Sequence, residues 1–190
     1  MVAAGNDFDD VYVWNVNTRK FITFLFADNT SGITSVAFSP DSKLVAAGDD
    51  QGEAQLWDVA SGQRIGIPLT ADTRPVESVA FSSDGKTLAT GSTDGTARLW
   101  DVDLDDNDLT GAVSVGTKAV ISVAFSPGGK MLATGDYDCM ARLWNAATQQ
   151  QLGGPLHRLT APRGLILARS LIQLSRILPA GRCLDHPECP

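Results

Sequence analysis

The sequence predicts an all-β fold of roughly 3.5 four-stranded antiparallel units laid side by side, followed by a segment of different character. Three observations carry this. The four tryptophans, Trp14, Trp57, Trp100 and Trp144, each close a short apolar run (VYVWN, AQLWD, ARLWD, ARLWN) and stand 43, 43 and 44 residues apart. A second marker keeps the same step: VAFSPDSK at 36–43, VAFSSDGK at 79–86 and VAFSPGGK at 123–130. Between the markers the apolar runs are short and are cut by Pro, Asp and Gly, which favour turns.

Within a period, Val-Ala-Phe forms a first strand that stops at Ser-Pro-Asp or Ser-Ser-Asp-Gly. A hairpin leads into Leu88-Ala89-Thr90 or Leu132-Ala133-Thr134, and a second turn at 91–95 or 135–138 leads into Ala97-Arg98-Leu99-Trp100 or Ala141-Arg142-Leu143-Trp144. A weaker fourth run, Arg64-Ile65-Gly66-Ile67-Pro68-Leu69, closes the unit. Four such strands cannot bury both faces alone, so the units must stack. The expected units are 33–69, 76–114 and 120–156, with a partial unit at 2–26 that opens on Val2-Ala3-Ala4-Gly5, where a second strand is due.

The segment VAFSSDGKTLATGSTDGTARLWD (79–101) resembles the core repeat of the WD-repeat (WD40) β-propeller family, and the pattern recurs in register over residues 2–156. The resemblance implies an incomplete β-propeller whose four-stranded units are blades. It also implies a buried hydrogen-bonded set in each blade: Trp on the third strand, Ser or Thr on the second, Asp in the turn between them and His ahead of the first. Thr90, Asp94 and Trp100 match in one repeat, and Thr134, Asp138 and Trp144 in the next. A buried indole N–H or carboxylate needs a partner, or it costs several kcal/mol. Trp57 and Trp14 complete the series with gaps: Ala47 and Gln51 replace the hydroxyl and the Asp in one blade, and Ala4 and Phe8 in the other. The His slot holds Asn29, Asp72 and Gly116. An Asp beside a Thr could instead be catalytic machinery, but the set recurs at the structural period without a His.

Loops at one rim of such scaffolds carry function, while blade cores carry stability. The family's rim positions fall on Asp7, Asp50, Thr93 and Tyr137, just before the turn Asp slot, and on Thr34, Glu77 and Ile121, near the start of the first strands. Acidic side chains with Tyr137 and Ile121 beside them would suit a basic or amphipathic peptide; the bland alternative is ordinary solvated loop residues.

The net charge of −7 divides unevenly: residues 1–156 carry 20 acidic and 10 basic side chains, and 157–190 carry 2 and 5. An acidic body without a basic stripe repels phosphate backbones, so no nucleic-acid partner is expected. No apolar run approaches the ~18 residues of a membrane helix, and MVAAGNDFDD lacks a signal-peptide profile. With Cys139, Cys183 and Cys189 too few and too uneven for a disulfide framework, a cytoplasmic protein is expected.

No cofactor or metal is expected. Five aspartates lie between Asp101 and Asp108, but without the central Gly and closing Glu of a calcium loop. Cys183, His186 and Cys189 have ligand-like spacing and lack a fourth ligand. After Leu156 the repeat stops. Residues 164–178 (GLILARSLIQLSRIL) place Leu167, Leu171, Leu174 and Leu178 on one helical face, which suits a cap over the last blade; a frame change in a longer reading frame would also produce this composition.

The function expected is a non-enzymatic scaffold or sensor that binds protein partners through the rim, with self-association through open blade edges. WDVASGQRIGIPL and WNAATQQQLGGPL resemble the repeats of large bacterial signalling proteins. Two other readings stand beside it: a truncated or frame-altered fragment without independent function, and a ligand-binding or enzymatic propeller. Against the last, the only histidines are His157 and His186, and no nucleophile and base fall at plausible spacing.

Overall fold

The computed structural model describes residues 1–8, 10–26, 32–70, 74–102, 109–114 and 118–157. Among these there is no helix. Their strands form four antiparallel sheets, none closed on itself, in the manner of an incomplete propeller.

The first sheet has three strands, β1 (Val2–Gly5), β2 (Asp10–Asn15) and β3 (Lys20–Phe26). The second orders β4 (Ile33–Phe38), β5 (Leu44–Asp49), β6 (Glu53–Asp58) and β7 (Arg64–Thr70). The third repeats it with β8 (Val76–Phe81), β9 (Thr87–Ser92), β10 (Thr96–Asp101) and β11 (Leu109–Ser114). The fourth has β12 (Val120–Phe125), β13 (Met131–Asp136), β14 (Met140–Asn145) and the short β15 (Leu156–His157). Each is a meander, because turns this short allow only antiparallel neighbours.

Register is fixed by alternation. Ala46 faces Leu56, Ala89 faces Leu99 and Ala133 faces Leu143, so a small residue on the second strand always meets a large one on the third. A one-residue slip would turn every such pair to the opposite face. The core lies between the sheets. Val11 and Val13 meet Val45, Trp57 and Val59; Leu56 and Leu69 meet Val76, Leu88 and Trp100; Leu99 and Val113 meet Val120, Phe125, Leu132 and Trp144. Each fully buried aliphatic side chain contributes about 1.5–3 kcal/mol. Residues 164–178, the Cys183, His186 and Cys189 cluster, Asn29, Asp72, Gly116 and most of the aspartate-rich linker lie outside the described residues.

Candidate functional site

The second and third strands of each four-stranded sheet, and β1 and β2 of the first sheet, are joined by a tight turn, and one side chain closes each turn from within. Asn6 Oδ1 accepts the N–H groups of Phe8 and Asp10 at 2.9 and 3.0 Å. Asp49 Oδ1 accepts those of Gln51 and Glu53 at 3.0 and 2.8 Å, and Asp136 Oδ1 those of Asp138 and Met140 at 3.0 and 3.2 Å. Ser92, in the same place, takes only the Asp94 N–H, at 3.2 Å. Sequence reasoning missed these four. The signal was an Asn, Asp or Ser directly after the Gly that ends the strand before the turn (Gly5, Gly48, Gly91, Gly135), the residue types that bond their own backbone two residues on.

Two of the tryptophans meet their hydroxyls: Trp100 Nε1 donates to Thr90 Oγ1 and Trp144 Nε1 to Thr134 Oγ1, both at 3.0 Å. Trp57 is equally buried, but Ala47 stands where the hydroxyl would be, and its indole N–H has no acceptor among the described residues. Trp14, half-buried, packs on Tyr12 and Phe21 with centroids 5.8 and 6.4 Å away.

The turn carboxylates depart from the expected pattern. Asp94 accepts the N–H and hydroxyl of Thr96 at 2.7 and 2.8 Å and pairs with Arg98 at 2.8 Å, without reaching Thr90. Asp138, its counterpart, is exposed, and the carboxylate that pairs with Arg142 is Asp136, 2% exposed. The pairing partner moves because Asp136 replaces Ser92, which brings a charge two residues nearer the strand.

Burial favours the neutral form of both turn acids, with opposite outcomes. It pushes the Asp49 carboxyl up, against the opposing N–H bonds of Glu53 and Gln51. Burial works the same way at Asp94, but the bonds from Thr96, and then Arg98, outweigh it and hold the carboxyl below the ordinary aspartate value.

At this end of the stack the turn backbone also ties down the start of each first strand. The N–H groups of Asp50, Thr93 and Tyr137 donate to the carbonyls of Gly32, Pro75 and Ala119 at 3.1, 3.0 and 3.1 Å. All seven proposed rim residues therefore belong to turns or strand starts at one end. Asp7, Thr34, Asp50 and Tyr137 are exposed, Tyr137 at 66%, while Glu77, Thr93 and Ile121 are half-buried. A Cβ on Gly32 would sit 3.6 Å from Asp50 Oδ2 and 3.9 Å from Asp7 Oδ1, so two carboxylates flank one glycine. Tyr137 lies two sheets away. The Thr34 hydroxyl donates to the Gly48 carbonyl at 2.9 Å and lies against that of Val76, tying two sheets together. At the opposite end, a shallow groove between the third and fourth sheets is lined by Asp84, Thr87, Phe125, Lys130 and Asn145.

Among the described residues no group of three His, Cys, Asp or Glu could hold a metal ion, and no helix is long and apolar enough to cross a membrane.

The family model described as WD domain, G-beta repeat matches at 19–58, 63–101 and 109–145, together more than half of the chain. The chain belongs to the WD-repeat family. Each matched WD repeat begins in or just before the last strand of one sheet and ends with the third strand of the next, so repeat and blade are offset by one strand. Each matched WD repeat therefore spans parts of two neighbouring blades. WD-repeat domains are generally non-enzymatic modules that mediate protein–protein interaction. A search of the curated proteins finds no match.

Proposed function

We propose that this WD-repeat chain is a non-enzymatic scaffold or sensor, part of a cytoplasmic signalling assembly, that binds a basic or amphipathic protein segment through its rim. The observation that supports this most is the row of turns holding Asp7, Asp50 and Tyr137 at one end of the sheets, each turn tied by backbone hydrogen bonds. Exposed carboxylates steer a basic partner, and an exposed aromatic offers the buried area of an anchor. The acidic body argues against phosphate backbones as ligands.

Affinity capture tests the reading, using the intact chain beside a Tyr137→Ala, Asp50→Lys double variant. Partners recovered by the intact chain should be lost or much reduced with the variant, and their capture should weaken as salt rises. Equal recovery of the same partners by both proteins would remove the rim from the account.

A further inference from the structure

The hairpins between the first and second strands of the four-stranded sheets repeat one motif, and the last departs from it. Ser39-Pro40-Asp41-Ser42-Lys43 links β4 to β5, Ser82-Ser83-Asp84-Gly85-Lys86 links β8 to β9, and Ser126-Pro127-Gly128-Gly129-Lys130 links β12 to β13. In the first two, the Asp carboxylate folds back over the turn. Asp41 Oδ1 accepts the Ser39 hydroxyl at 2.7 Å and the Lys43 N–H at 3.1 Å, and Asp84 Oδ1 accepts those of Ser82 and Lys86 at 2.6 and 3.1 Å. The Lys43 ammonium stands 3.6 Å from the Asp41 carboxylate. These donors favour the charged form: the serine hydroxyl first, and the lysine N–H after it, hold each carboxyl below the ordinary aspartate value.

The last hairpin keeps the backbone path: the Gly129 N–H donates to the Ser126 carbonyl as those of Ser42 and Gly85 do to Ser39 and Ser82. Gly128, however, stands in the position of the Asp, and a Cβ built on it meets nothing within 4 Å. The donors are therefore unspent. Ser126, 7% exposed, accepts the Met131 N–H at 3.1 Å, but among the described residues neither its O–H nor the Lys130 N–H has an acceptor, and the Lys130 ammonium has no carboxylate. Asp84, on the neighbouring hairpin, is held by Ser82 and Lys86. Close by, Ala146 occupies the position of Val59 and Val102; all three donate their N–H to the lysine carbonyl of the adjacent hairpin, at 3.0, 2.8 and 2.9 Å. The two valines are buried and the alanine is half-buried. Two methyl groups fewer at this position leave an apolar groove beside Gly128 and Lys130, walled by Phe125.

We propose that the β12–β13 hairpin takes its carboxylate from outside: the Asp or Glu side chain of a partner peptide, with an aliphatic neighbour seated in the groove. The carboxylate accepts the Ser126 hydroxyl, the Lys130 N–H and the Lys130 ammonium, the set that Asp41 engages within its own hairpin. Such charge-assisted bonds are stronger than neutral ones. The aliphatic side chain lies on Phe125 and Ala146, in place of the methyls that Val59 and Val102 supply in the earlier interfaces. A phosphate fits less well, because its additional charge faces Asp84, which lines the same groove. The site lies at the end of the sheets opposite the rim turns, so its failure would leave the rim reading untouched.

The test is an amide NMR titration of the full isotope-labelled chain with acetyl-Asp-Val-amide, acetyl-Asn-Val-amide, sodium acetate and sodium phosphate. The Asp dipeptide should shift the Ser126 and Lys130 amide signals saturably, and the Asn dipeptide should bind about tenfold or more weaker. Gly128→Asp, which supplies the carboxylate from within, should abolish the shifts and raise the thermal midpoint, so that lost binding is not lost folding. Ala146→Val should weaken the Asp dipeptide several-fold and leave acetate unchanged. Lys130→Gln, at an exposed side chain, should weaken both, and it carries the test if Gly128→Asp folds poorly. Absence of saturable shifts would overturn the proposal, as would equal binding by the wild type and these variants, which would put the ligand elsewhere. Acetate or phosphate binding as tightly as the Asp dipeptide would also overturn it, by making this a site for small free anions.

Discussion

Trp57 and Ala47 stand in the register that Trp100 and Thr90 occupy one blade later, and the missing hydroxyl leaves the Trp57 indole N–H buried without an acceptor. A buried donor left unpaired costs about 1–3 kcal/mol. Ala47→Thr should therefore raise stability by about 1 kcal/mol in a denaturant titration, since Thr90 and Thr134 fit the same position in sister blades. Thr90→Val, which keeps the shape and removes the acceptor from Trp100, should lower it by about 1–3 kcal/mol. Equal midpoints for wild type and both variants would mean that the indole hydrogen bond contributes nothing.

Asp49 and Asp94 should respond to pH in opposite directions. The Asp49 carboxyl is held above its ordinary value by burial, so the folded state binds its proton more readily than the unfolded chain. Its charge thus subtracts from stability at neutral pH, a deficit that fades as pH falls through the folded value. Asp49→Asn, which keeps the acceptor for Gln51 and Glu53, should be more stable than wild type at pH 7, and the advantage should vanish in acid.

For Asp94 the sign reverses. Its carboxyl is held below the ordinary value, so its contribution is fully present above the unfolded value of about 3.9 and is lost as pH falls through the folded one. Asp94→Asn should cost about 1–3 kcal/mol at neutral pH, with the difference closing below about pH 3.9. Parallel stability curves for wild type and either variant across pH 2–7 would refute the corresponding assignment.

Cys139 adopts φ 60° at a turn position that Gly52 and Gly95 fill with φ 94° and 90° in the preceding blades. A side chain in the left-handed region costs about 1–2 kcal/mol, part of which glycine returns through the greater freedom of its unfolded chain. Cys139→Gly should raise the thermal midpoint, with a net gain of about 0.5–1 kcal/mol. A lower midpoint would show that contacts of the thiol outweigh the backbone strain.

Much of this fold is legible in the sequence because two unrelated markers, the tryptophans and the Val-Ala-Phe-Ser strands, share one spacing. Alternation in runs such as Leu88-Ala89-Thr90-Gly91 then sets which side chains face the neighbouring blade. The turn chemistry is less legible. Aligning repeats by family pattern puts the working carboxylate at Asp94 and Asp138, but Asp136 sits two residues earlier, reaches the same turn N–H groups and captures Arg142. Alignment sees the column, whereas the hydrogen bonds depend on which carboxylate in the turn lies against its N–H groups. Trp14 departs for a related reason: with Ala4 in the hydroxyl position it leans on Tyr12 and Phe21.

Hydrogen exchange of the four indole N–H protons, followed by NMR after transfer to deuterated buffer, tests the account most directly. The Trp100 and Trp144 protons, buried and bonded to Thr90 and Thr134, should persist longest, and the half-buried Trp14 proton should exchange first. If the Trp100 and Trp144 protons exchange as fast as that of Trp14, the indoles do not lie between stacked blades, and the fold described here is wrong.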